Sequence, residues 1–181
     1  MIWAITGPPG VGKSTVLSKV VLRLKSAGLI VGGCSTAEVR RRGSRIGFEI
    51  LDLTDGRRGE LASLKLRLGP KVGRYRVNLG DLASIGAEAL ERAAVRSEVI
   101  VVDEVGPLEL VSPEFRRAVK TCMGSGKPML VVIHERLDDD LLNEIKGVAA
   151  ETVTVTSDNR EEVPAALGDS VMDSIGGPRS R

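Results

Sequence analysis

The residues best able to do chemistry stand close to the start of the chain. Gly7-Pro8-Pro9-Gly10-Val11-Gly12-Lys13-Ser14 satisfies G-x-x-x-x-G-K-[ST] at every fixed position, and Thr15 follows. Glycine lets a backbone turn tightly enough for successive N–H groups to point into one anion-sized hollow. A helix beginning near Lys13 adds the positive end of its dipole. Lys13 would reach the β- and γ-phosphates of a nucleoside triphosphate, and the Ser14 hydroxyl would ligate Mg²⁺. Thr15 would contact the α-phosphate. A second set ends the apolar run "VIVVDEVGPLEL", Val99 to Leu110. Its acids, Asp103 and Glu104, stand as they do at the end of a Walker-B strand, with Gly106 just beyond. Asp103 is a candidate Mg²⁺ ligand. Glu104 is a candidate to orient or deprotonate a water that attacks the γ-phosphorus, an acid that a pure phosphate-binding switch would not need.

Other residues are open to two interpretations. Between Glu38 and Arg76 there are eleven basic and five acidic residues, a local excess of six. Arg40 and Arg45 are the candidates for neutralising charge on the leaving γ-phosphoryl, as a cis arginine does; a solvated basic loop is the alternative. Arg41, Arg42, Arg74 and Arg76 share the segment, and Arg117 lies on a helix. His134 ends an apolar strand, and carboxyl ends of parallel strands face the ligand crevice. A hydrogen-bonded strand-end residue and a γ-phosphate sensor are both open to it. Asn159 and Arg160 could touch base or ribose, whereas Asp158 and Glu161 are spaced as a capping box.

These groups need a frame. "IWAIT" reads as a short buried strand, "KSTVLSKVVLRLKSA" as a helix closed by Gly28, and "LIVGGCST" as a second strand. "RIGFEILDL" alternates and meets a Thr54-Asp55-Gly56 turn, predicting a hairpin with Arg57 to Leu64 inside an insertion at 36–78. "DLASIGAEALERAAV" reads as a helix, "EVIVVDEVG" as a strand and "SPEFRRAVKTCM" as a helix capped by Ser112 with Pro113 first. "KPMLVVIHE" and "TVTVT" are strands on either side of a short helix from Asp138 to Lys146. "SDNREEVPAALGDSVMDSI" is a helix that Pro164 kinks or divides. Alternating strands and helices predict an α/β fold with a mainly parallel sheet covered on both faces. One domain over 1–168 is expected, with a partly disordered C-terminal tail at 169–181.

Composition narrows the class. Aromatic residues number four, Trp3, Phe48, Tyr75 and Phe115, so the core must be aliphatic. Cys34 and Cys122 lie far apart without metal-type spacing, which suits a reduced compartment. The N-terminus enters a strand without a basic leader, and no apolar run approaches the ~20 residues that cross a bilayer. A cytoplasmic protein, without membrane contact and monomeric, is expected.

With both motifs in view, the chain resembles a small family of P-loop nucleoside-triphosphatases found in thermophilic microbes and, as the cancer-related nucleoside-triphosphatase, in animals. "STAEVRRRGSRIGFEILDLTDGRRGELAS" is similar to that family's T-E-E-V-R, G-x-R-x-G-F and G-x-x-G-x-L-A segment, with Ala37 departing from it. "VGRYRVNL", "DEVGPLEL" and "SDNREEV" follow in the family's order. The resemblance implies a RecA-like sheet with the hairpin insertion after the second strand. It implies Mg²⁺-dependent cleavage of several nucleoside triphosphates to diphosphate and phosphate, with the nucleotide at Gly7 to Thr15 beside Val99 to Gly106. A nucleic-acid-linked or assembly ATPase using the basic segment is the alternative, although only Phe48 and Tyr75 could stack bases there. A kinase follows, lacking an arginine-rich lid late in the chain. A GTP switch is disfavoured by the absence of N-K-x-D.

Overall fold

Side-chain alternation along the central strands decides how the sheet is covered, because a strand buried on both faces sends successive residues into opposite layers. In the computed structural model, which describes residues 1–176, β1 (Ile2–Thr6) places Ile2 and Ala4 in one core layer and Trp3 and Ile5 in the other. The first glycine loop leads to α1 (Lys13–Ser26), whose Val16, Leu17, Val20 and Leu24 face the second layer. Next come β2 (Val31–Arg41), β3 (Ser44–Asp52), β4 (Arg58–Ser63), β5 (Lys71–Val72) and β6 (Tyr75–Val77). The chain then turns helical through α2 (Leu79–Asp81), a π-helical stretch (Leu82–Ala87) and α3 (Glu88–Arg96). β7 (Val99–Val105), α4 (Pro113–Gly124), β8 (Met129–Ile133), α5 (Asp140–Val148), β9 (Glu151–Thr154) and α6 (Val163–Ile175) complete it.

Among the described residues the strands form a nine-stranded sheet in the order β5-β6-β4-β3-β2-β7-β8-β1-β9. From β2 to β9 neighbours run parallel, and β7 and β8 separate β1 from β2, the RecA-like arrangement expected. From β2 outward to β5 the pairs are antiparallel. α3, α4 and α5 bury Leu90, Phe115 and Ile145 on one face; α1 and α6 bury Leu17 and Leu167 on the other. Both cysteines are free and buried in the first of these layers, and Cys122 Sγ lies 3.3 Å from the Leu90 carbonyl.

Several expectations change. The second strand does not stop at Thr36 but continues to Arg41 and turns through Arg42 and Gly43 into β3, so the arginines before the expected hairpin sit on a hairpin of their own. The expected β3–β4 hairpin is present across 52–58. β5 and β6 form a further small hairpin at Gly73 that the sequence did not announce. Pro164 neither kinks nor divides the last helix: it occupies the first turn of α6, where its missing N–H costs nothing. Residues 157–162 form turns, and no side chain caps α6, so the capping box at Asp158 and Glu161 is not formed. Glu161 pairs instead with Lys19 of α1, at 2.6 Å. The tail expected from 169 falls within α6 as far as Ile175; its last residues, 177–181, lie outside the described residues.

Candidate active site

A strand that ends in glycine must turn at once, and the turn here is shaped by its neighbours. Gly7 has φ 139°, and a Cβ built on it would lie 2.5 Å from the Val155 carbonyl oxygen, so only glycine fits against the loop that follows β9. Gly12, at φ 110°, is the N-cap of α1, and no side chain caps that helix or puts an acid in its first turn. Its leading amides are therefore left for an anion. Pro8, Pro9 and Gly10 are exposed at the loop's crest, and Val11 folds back against the α1 core layer. Lys13 Nζ donates to the carbonyls of Gly7 at 2.9 Å and Pro8 at 3.3 Å, lying across the loop. Ser14 and Thr15 are exposed on the first turn of α1.

β7 brings the acids to this end of the sheet. Register pairs Ser35 of β2 with Asp103, and the ladder with β8 is irregular between Val102 and Val105. The Asp103–Glu104 peptide is cis. Asp103 is buried and accepts a hydrogen bond from Ser14 Oγ at 3.2 Å, across 89 residues of sequence. Burial, opposed by the Ser14 hydrogen bond, pushes its carboxyl up to about 7; Glu104 adds to the rise and Lys13 opposes it. A carboxylate held so near neutrality by desolvation is one that a bound dication would stabilise. Two hard oxygen donors, Asp103 and Ser14, fit Mg²⁺, which takes few protein ligands and keeps the rest as water and phosphate. Among the described residues no three acidic, imidazole or thiol side chains converge to make a larger metal cage.

Glu104 is half-buried, and among the described residues no hydrogen bond or ion pair fixes its carboxylate. Gly106, a candidate for the nucleotide site, donates its N–H to Glu109 Oε2 at 3.1 Å. Glu109 is buried, and burial together with the Glu104 charge pushes its carboxyl up to about 8. Glu109 is not among the candidates that motif spacing singles out. Its signal was a lone acid between Leu108 and Leu110, in an apolar stretch with no basic residue beside it.

The remaining candidates divide. His134 stands just past the end of β8, its backbone N–H donating to the Val105 carbonyl of β7 at 3.2 Å. Its Nδ1 accepts from the backbone N–H of Leu137 at 3.0 Å and of Arg136 at 3.3 Å, so the neutral ring carries its hydrogen on Nε2. Arg160 lies over the loop, its Cδ 3.9 Å from the position of a Cβ on Gly12. Asn159 spends its side chain locally, accepting from Thr156 N at 2.8 Å and donating to the Thr154 carbonyl at 2.9 Å. Arg40 and Arg45 are joined by Glu38 on the β2–β3 hairpin, beyond the last β2–β7 pair. Arg45 also donates to the Tyr75 hydroxyl at 3.1 Å and stacks over Phe48. The Arg45 hydrogen bond is the main reason the Glu38 carboxyl lies below its usual range.

The family model described as NTPase matches residues 3–167, nearly the whole described chain. A nucleoside-triphosphatase THEP1 of Thermofilum pendens is 41% identical over 94% of this chain and 95% of its own. One of Methanosarcina barkeri is 44% identical over 91% of this chain and 93% of its own. Among solved structures, THEP1 of Aquifex aeolicus superposes with a TM-score of 0.82 at 32% identity, covering 92% of this chain and 96% of that one. The human cancer-related nucleoside triphosphatase gives 0.80 at 34%, covering 94% and 97%. The chain belongs to the NTPase family.

Proposed function

We propose that this chain cleaves the γ-phosphate of nucleoside triphosphates, with the Gly7–Thr15 loop as the phosphate cradle. The hydrogen bond between Ser14 and Asp103 carries this proposal, since it joins the two motifs into one site. α1's open amides and Lys13 neutralise the polyphosphate. Ser14 and Asp103 are the groups that would hold Mg²⁺, which supplies charge neutralisation on the phosphate oxygens. Glu104 orients a water for in-line attack and takes its proton. Positioning and electrostatics dominate such transfers, so few side chains are needed. Arg160 is left to contact the nucleotide beside the loop. Asn159, committed to its own turn, holds that segment in place. Arg40 and Arg45 support the hairpin, and Lys13 carries the developing charge.

The free, buried thiols fit a reducing, cytoplasmic setting. No helix among the described residues is long and apolar enough to cross a membrane. Tyr75 is buried against Phe48, and both rings carry Arg45, so neither is left to stack on bases; this disfavours the nucleic-acid alternative. The direct test is phosphate release from ATP, GTP, CTP and UTP with Mg²⁺ or with excess EDTA. Release without any added acceptor is expected, falling at least ~100-fold in EDTA because several kcal/mol of charge stabilisation is withdrawn. Phosphate release that waits for an acceptor would make the chain a kinase instead.

A further inference from the structure

We propose that Glu109 is a positioning residue for hydrolysis, holding the turn after β7 and, through it, the Glu104 carboxylate. This rests on the assignment of Glu104 given above. Two observations carry it. Gly106 N–H donates to Glu109 Oε2 at 3.1 Å, tying the turn to a buried side chain only three residues on. A Cβ built on Gly106 would meet Glu104 Oε1 at 2.9 Å and Glu109 Oε2 at 3.3 Å. The two carboxyl groups thus close on the same small space, and Gly106 is the residue that leaves room for both.

Chemistry favours this pairing over an accidental one. A buried acid is costly unless paired or neutral, and the charges acting on Glu109 come from acids, Glu104 and Asp103. Kept neutral by burial, the carboxyl can accept from Gly106 N–H with one oxygen and present an O–H to Glu104. Among the described residues Glu104 has no other group that fixes it. A carboxylate free to rotate would orient water poorly, and misplacement by about 1 Å can cost about 10²-fold in rate.

Glu109→Met removes both the acceptor and the donor at similar volume. It is expected to lower kcat about 10–100-fold, with KM, ADP affinity and melting temperature little changed. Glu109→Gln keeps an acceptor for Gly106 N–H and a donor toward Glu104, and is expected to recover most of kcat. Because Glu109 acts through Glu104, adding Glu109→Met to Glu104→Gln should cost less than about threefold more in single-turnover rate. Gly106→Ala attacks the contact from the other side and should repeat the kcat loss if the Met variant folds poorly. Full activity in Glu109→Met, or a kcat loss that multiplies that of Glu104→Gln, would overturn the proposal and leave Glu104 in place. Full activity in Glu104→Gln would instead remove the assignment on which it rests.

Discussion

Glu104→Gln is expected to slow phosphate release about 10²–10⁴-fold while nucleotide still binds. The amide matches the carboxylate in shape and can still hydrogen-bond a water, but it cannot take the proton. Glu104 is only half-buried and carries no ion pair among the described residues, so its replacement leaves the core untouched. The neighbouring Asp103 keeps its bond from Ser14, and the metal-holding pair survives. Single-turnover hydrolysis alongside titration with a fluorescent nucleotide separates the two effects. A rate within threefold of the parent would exclude Glu104 as the base.

Lys13→Ala is expected to lose about 10²–10³-fold in kcat/KM, as when one donor to developing charge is removed. Two effects add here. The ammonium that would serve the β- and γ-phosphates is gone. The Gly7 and Pro8 carbonyl oxygens, on which Lys13 now donates at 2.9 and 3.3 Å, are also left bare beside the bound anion. ATP should lose more affinity than ADP, because only the triphosphate offers the γ-group. Calorimetric titration with each nucleotide checks this; equal losses would place Lys13 away from the γ-phosphate.

How much of this was legible depended on burial. The parallel centre announced itself through continuous apolar runs such as Val99–Val102 and Met129–Ile133, which only a strand covered on both faces tolerates. The glycine loop was legible because its chemistry needs fixed spacing. The β2 extension was not. Ala37 to Ser44 are all exposed, so no face of that ribbon imposes an apolar period, and its arginines resembled a solvated loop. Pro164 misled because proline stops a helix interior and opens a helix start equally well, and the start lay six residues later than expected. Glu109 was marked only as an acid in an apolar stretch; a carboxyl whose partners are a backbone amide and another acid has no basic neighbour to show its role.

The two thiols give the fold a built-in clock. Burial pushes the Cys34 thiol well above its ordinary range, with Cys122 adding to the rise, and burial lifts Cys122 to about 12. A thiol reacts as its thiolate, so neither sulfur meets an alkylating reagent until the layer beneath α3 and α4 parts. Labelling of the native chain therefore times how often its interior opens, and tight nucleotide binding would lengthen that interval by mass action.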